Sequence, residues 1–215
     1  MGLLVIPDLA VAALLLVGGI WWTLIVVAWG AWEARFESPG HRSARLAAGP
    51  RKEGGPDAWD VVSFVIPIVV SIGLGVDGLA GTRWALYSPP WSFAVPGFDA
   101  LRVLGGVSLF ISLALFTAGA YLTAKYVYNK LPEEQILLTR GPYRYVRHPI
   151  YLAWGLTTLG MILLSLNVLA FSTLIVLFHW GWREEDDALA NQFGERYIEY
   201  RNRTGAFLPR FRRPR

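Results

Sequence analysis

Two short stretches of this chain concentrate groups able to do chemistry: GPYRYVRHPIY, residues 141–151, and REEDD, residues 183–187. In the first, Arg147 and His148 stand directly before Pro149. Proline holds the residue ahead of it in extended backbone and suits the first turn of a helix. A helix starting at Pro149 therefore turns its free N–H groups and positive dipole end toward whatever Arg147 and His148 hold, an arrangement that receives carboxylates and other anions. In the second stretch, Glu184 and Glu185 are suited to an ammonium group. Tyr143, Tyr145 and Tyr151 add aromatic faces for a cation or a flat ring. An anion hole beside a cation hole fits a zwitterionic amino-acid group.

The elements that must position these residues follow from composition. The 215-residue chain is 54% hydrophobic and only 17% charged, with a mean hydropathy of +0.39. A soluble domain of this size needs far more polar surface, so the pattern is that of an integral membrane protein. No cysteine is present, which excludes disulfides, thiolate metal sites and cysteine nucleophiles, and the three histidines are too dispersed for a metal cluster.

About 20 apolar residues cross roughly 30 Å of hydrocarbon. Leu9 to Trp32, Val61 to Ala80 and Leu101 to Tyr126 each qualify, the second with Pro67 and Asp77 inside it. The first carries no basic start of the kind a cleavable signal has, and it reads as a retained span. Gly73 and Gly75 lie inside the second as a packing feature. Ile150 to Trp182 is too long for one ordinary span, and the turn signal Ser165-Leu166-Asn167 divides it into a helical hairpin of two short arms. The fold expected is all-α: five transmembrane helices, the last two a tight hairpin, followed by an amphipathic cytoplasmic C-terminal helix carrying Leu189, Phe193, Tyr197 and Tyr200. The chain then divides into spans at 1–126, a cytoplasmic connector at 127–149, the hairpin at 150–182 and a tail at 183–215, all in one membrane domain.

Charge orients these spans. All but Arg83 and Arg102 of the 20 basic residues fall on one side of the membrane in this arrangement, which by the positive-inside rule puts the N-terminus outside and the C-terminus in the cytoplasm. The net charge of +4 reflects that face and the anionic lipids it meets, not nucleic-acid binding. The hairpin also explains the opening pair of stretches. His148 and Glu184 are equidistant from Leu166 along the chain, so antiparallel arms return them to one depth and bring RYVRH against REEDD.

Those residues carry a resemblance. RHPIY at 147–151, the charge-free hairpin after it, and EEDDALANQFGERYIEYRNRTGAFLP at 184–209 resemble the integral-membrane methyltransferases of the isoprenylcysteine carboxyl methyltransferase and phospholipid methyltransferase families. Phe193, Gly194, Tyr197, Tyr200 and Pro209 match the tail of the shared pattern. Ala153 stands where the pattern has glycine. Its paired acids fall on Glu184 and Glu185 or, one step later, on Glu185 and Asp186.

The resemblance implies S-adenosylmethionine as methyl donor, bound at the cytoplasmic end of the hairpin under the C-terminal segment, and a lipophilic acceptor entering from the bilayer. The cofactor-binding set is then Tyr143, Arg147, His148, Pro149, Tyr151, Glu184, Glu185 and Tyr197. Arg147 and His148 receive the carboxylate, and Glu184 or Glu185 the ammonium. A carboxylate acceptor needs no general base; an amine or phenol would need one, for which His148 and Tyr151 are the candidates. The polar connector KYVYNKLPEEQILLTR, residues 125–140, and the tail could gate the site. The rival class is a membrane transporter or channel with a charged cytoplasmic gate. The sequence carries neither the internal repeat nor the paired broken helices that such folds use.

Overall fold

The computed structural model describes residues 8–36, 58–80, 98–128, 136–174 and 182–210. Among the described residues every regular element is helical. They are α1 (Asp8–Phe36), α2 (Ala58–Ala80), α3 (Phe98–Thr123), α4 (Pro149–Ser165), the single turn α5 (Val168–Phe171), α6 (Trp182–Phe193) and α7 (Glu195–Arg203). A π-helical turn, Ala124–Tyr128, extends α3, and 3-10 turns occupy Gly141–Arg144 and Ser172–Leu174. The first three helices cover the three expected apolar runs. One described helical stretch, Asp99–Val127, is long and apolar enough to cross a membrane; Leu9–Ile25, Val65–Ala80 and Pro149–Ser165 are shorter apolar helices. The return arm of the hairpin at 175–181, with His179, and the connector at 129–135 lie outside the described residues.

The chain forms two compact units: Met1–Gly30 with Pro56–Ser112 and Trp154–His179, and Ala31–Gly55 with Leu113–Ala153 and Trp180–Arg215. The core of the first joins Val11 and Leu15 of α1, Leu74 of α2, Met161, Ile162 and Leu164 of α4, and Ala170 of α5. Small residues let these helices touch. A β-carbon at Gly75 would lie 2.7 Å from the Leu16 backbone nitrogen, and one at Gly160 only 2.9 Å from the Gly105 carbonyl. Backbones meeting so closely gain dispersion contacts without needing a solvent-driven term, as between helices in lipid. Ser71 Oγ donates to the Leu15 carbonyl at 2.6 Å, and Trp22 meets Trp154 edge to face at 5.5 Å.

The break expected at 165–167 is present. α4 ends at Ser165, Leu166 takes a left-handed φ of 40°, and the fully buried Asn167 caps α5 by accepting from Leu169 N at 2.9 Å. Left-handed backbone is costly for a residue with a β-carbon, and here the cap and the surrounding core hold it. In the second unit the tail helix is two helices: Gly194, at φ 55°, separates α6 from α7. That conformation favours glycine, which has no β-carbon to clash.

Candidate functional site

The second unit is organised around one carboxylate. Asp186 lies in the first turns of α6, on the stripe it shares with Leu189 and Phe193 at helical spacing, and is buried. Its Oδ1 accepts from Arg147 Nε at 3.3 Å, from His148 Nε2 at 2.9 Å and from the Tyr197 hydroxyl; its Oδ2 accepts from Arg147 Nη2 at 3.1 Å. Four bonds thus converge on this carboxylate, three of them on Oδ1. Burial by itself would raise the Asp186 carboxyl, but hydrogen bonds from Tyr197 and Arg147, with the charges of His148 and Arg147, outweigh it and hold the group below the ordinary carboxylate range. Because an ionised carboxylate only accepts, His148 Nε2 carries the hydrogen between them.

Arg147 faces two ways. Besides Asp186 it donates through Nη1 to the main-chain carbonyls of Arg201, at 3.2 Å, and Thr204, at 2.7 Å. Four of its five N–H groups are thereby engaged inside the protein, leaving one. The backbone continues the attachment: Val146 and Gly205 form a parallel bridge, Arg147 N donates to the Gly205 carbonyl at 2.9 Å, and His148 N donates to that of Ala206 at 3.1 Å. A β-carbon on Gly205 would sit 1.8 Å from the Leu208 carbonyl oxygen, so the path taken by the tail requires glycine there.

Tyrosines complete the frame. Tyr197 is fully buried, and burial together with its bond to the Asp186 carboxylate pushes its phenol well up, so it stays a donor. Burial likewise raises the phenol of Tyr200, which donates to the Tyr143 carbonyl at 2.6 Å. The Tyr143 hydroxyl pairs with Thr123 Oγ1 at 2.9 Å, tying the 140s turn to the end of α3.

The remaining expected residues sit at the rim. His148 is almost fully buried, with its Nδ1 3.7 Å from Oε2 of the half-exposed Glu185. Glu184 is exposed and Pro149 is buried at the start of α4. Partly exposed rings surround His148: Tyr151 edge-on at 5.6 Å, Trp182 at 5.9 Å and Phe207 at 6.0 Å, the last two meeting edge to face at 5.4 Å. Thus RYVRH and REEDD do meet. Of the three acids between which the sequence does not choose, Asp186 is buried and bonded to Arg147, His148 and Tyr197, while Glu184 and Glu185 are exposed. Trp182, Thr204, Gly205 and Phe207 were not anticipated. The Asp186-Leu189-Phe193 spacing was the available sign that Asp186 faces inward; nothing local marks Trp182 or Phe207.

A match to a known family covers both the RYVRH and the REEDD stretch. Residues 101–191 match the model of the isoprenylcysteine carboxyl methyltransferase (ICMT) family. The chain is 32% identical over 100 residues to the human protein-S-isoprenylcysteine O-methyltransferase, across 45% of this chain and 35% of that protein. It is 32% identical over 103 residues to the enzyme of the same name from Saccharomyces cerevisiae, across 46% and 42%. It is 36% identical over 104 residues to the cobalt-zinc-cadmium resistance protein CzcN of Cupriavidus metallidurans, across 46% and 47%. The chain thus spans between about a third and a half of these relatives. No solved structure matches it.

Proposed function

We propose that this chain, whose residues 101–191 match the isoprenylcysteine carboxyl methyltransferase family, belongs to that family and is an integral-membrane methyltransferase that uses S-adenosylmethionine and acts on a lipophilic acceptor. The observation that carries this reading is the meeting of His148 with Glu185 and Asp186 at the start of α4. There, a half-exposed carboxylate, a buried imidazole and partly exposed aromatic rings share one rim.

These residues fit the cofactor. Glu184 and Glu185 keep exposed carboxylates for its ammonium, and the rings of Tyr151, Trp182 and Phe207 suit a flat base or a cation. The anion side falls to the N-terminal end of α4 at Pro149 and to the one remaining N–H of Arg147, beside His148, whose two ring nitrogens already face Glu185 and Asp186 and would have to give up the Glu185 contact to join them. Arg147 and Tyr197 otherwise act through Asp186, and Tyr143 acts as a brace to α3; these three hold the site's shape. When bound, S-adenosylmethionine would supply a methyl group on a cationic sulfonium, to be displaced by the acceptor with a neutral thioether as leaving group. The chain's own part is to align the two partners and keep water away, which accounts for much of the rate in such displacements.

The membrane setting supports a lipidic acceptor. Leu9, Val17 and Val27 of α1, Val69 of α2 and Phe110 of α3 are exposed, an apolar surface that is stable against acyl chains and unstable against water. Five spans, with the N-terminus outside and α6, α7 and the tail cytoplasmic, put the rim of His148 and Glu185 at the inner leaflet. The names of the relatives suggest a prenylated cysteine carboxylate as acceptor, for which no general base is needed.

Equilibrium binding of labelled S-adenosylmethionine to the purified protein, followed by methyl transfer to a membrane lipid extract, tests the proposal. Binding that weakens in His148→Ala and in Glu185→Ala is expected. Absence of binding, with both variants indistinguishable from wild type, would overturn the reading and favour a transporter or channel.

A further inference from the structure

The face of Trp182 already holds a cation. The guanidinium carbon of Arg183 lies 5.0 Å from the centre of the Trp182 ring, although the Arg183 side chain is exposed and has water as an alternative. Trp182 in turn stacks edge to face with Phe207 at 5.4 Å, and both rings border His148, whose Nδ1 edge meets Glu185. A tryptophan face, a second aromatic ring and a nearby half-exposed carboxylate together make an electronegative seat. Quadrupole and carboxylate both favour a positive charge there.

We infer that Trp182 and Phe207 form the cation seat of this site, which takes a sulfonium or similarly soft organic cation, and that Arg183 fills the Trp182 face until such a ligand displaces it. The inference rests on the methyltransferase reading for the identity of the cation and adds to it the residues that distinguish the charged methyl donor from its neutral thioether product. A guanidinium that leaves an exposed ring face exchanges that contact for water at small cost. Phe207 brings the tail into the seat, because the Gly205 and Ala206 carbonyls just ahead of it are bonded to the backbone of Arg147 and His148. Occupation of the seat and docking of the tail then favour each other.

The test compares affinities for S-adenosylmethionine and S-adenosylhomocysteine, which share every group except the methyl and its charge, by calorimetric titration of the full chain in detergent. In Trp182→Leu the Kd for S-adenosylmethionine should rise by between about two- and thirtyfold while that for S-adenosylhomocysteine moves by less than about twofold, the span of a cation–π contact. Retained S-adenosylhomocysteine binding doubles as the check that the variant is folded. Arg183→Gln should tighten S-adenosylmethionine by a few-fold in the wild-type background and have no effect in Trp182→Leu, since coupling of that kind separates displacement from a ring face from long-range charge. Equal weakening of both ligands in Trp182→Leu would overturn the seat, and so would an Arg183→Gln effect that is the same in both backgrounds. Failure of the wild type to bind either ligand would instead overturn the methyltransferase reading itself.

Discussion

Replacing Asp186 by asparagine isolates the group on which the second unit converges. The side chain keeps its shape but loses its charge and presents an amide N–H where Oδ2 had accepted from Arg147 at 3.1 Å. Arg147 is then a buried cation without a counter-charge, a change that costs about 3–5 kcal/mol when the partner of a buried pair is removed. Two of its donors keep their bonds to the Arg201 and Thr204 carbonyls, so the lower end applies: about 3 kcal/mol, or roughly a hundredfold in the ratio of open to docked tail. Hydrogen exchange reads that ratio directly, because the Arg147 and His148 amides are bonded to tail carbonyls and exchange when the tail lifts. Both should exchange roughly a hundred times faster in the variant at neutral pH.

The same group fixes a pH dependence. Its carboxyl is depressed in the folded protein, so its contribution is complete above the ordinary carboxylate value of about 3.9 and is lost as pH falls below it toward the folded value. Wild-type protection of these amides should therefore decline below about pH 4, and Asp186→Asn should lack that component. Protection in the variant within about threefold of wild type, with the same acid profile, would refute the assignment of Asp186 as the hub.

Three further outcomes follow from named contacts. Tyr197→Phe deletes one buried donor to Asp186 and should cost about 1–3 kcal/mol in thermal or denaturant unfolding while leaving the tail docked, since Arg147 and the backbone bonds persist. Gly205→Ala must displace the Leu208 carbonyl and should expose the tail to limited proteolysis without lowering the stability of α1 and α2. Gly160→Ile drives a branched side chain into Leu109 and the Gly105 carbonyl; the yield of folded protein in membranes should fall by at least about fivefold, whereas Gly106→Ala, which meets open space, should leave it unchanged.

Much of this architecture is written in local signals. The apolar runs mark α1 to α3, because length and charge depletion need no knowledge of partners. Pro149 marks the start of α4, and Ser165-Leu166-Asn167 marks its end, because proline and capping residues act through their own backbone. The encounter of RYVRH with REEDD is legible from counting residues either side of the turn. Which acid faces inward shows only in the helical spacing of Asp186 with Leu189 and Phe193, since Glu184, Glu185 and Asp186 all offer a carboxylate and are separated mainly by rotation about α6. The engagement of Arg147 is hidden for a related reason: two of its four side-chain hydrogen bonds go to main-chain carbonyls, which every residue possesses. Gly194 matched the family pattern, yet its role in splitting the tail helix depends on a left-handed φ that the residue permits but does not demand. Trp182 and Phe207 acquire meaning only when the tail crosses the start of α4.

The attachment of the tail has a bearing on how its sequence can drift. Arg147 grasps the carbonyls of Arg201 and Thr204, and the amides of Arg147 and His148 grasp those of Gly205 and Ala206; none of these four residues contributes a side-chain atom to the grip. Substitutions at Arg201 or Ala206 therefore leave the tether chemically intact. Over 201–206 it is the route of the main chain that is under constraint, with glycine at 205 as the one spelling that route enforces.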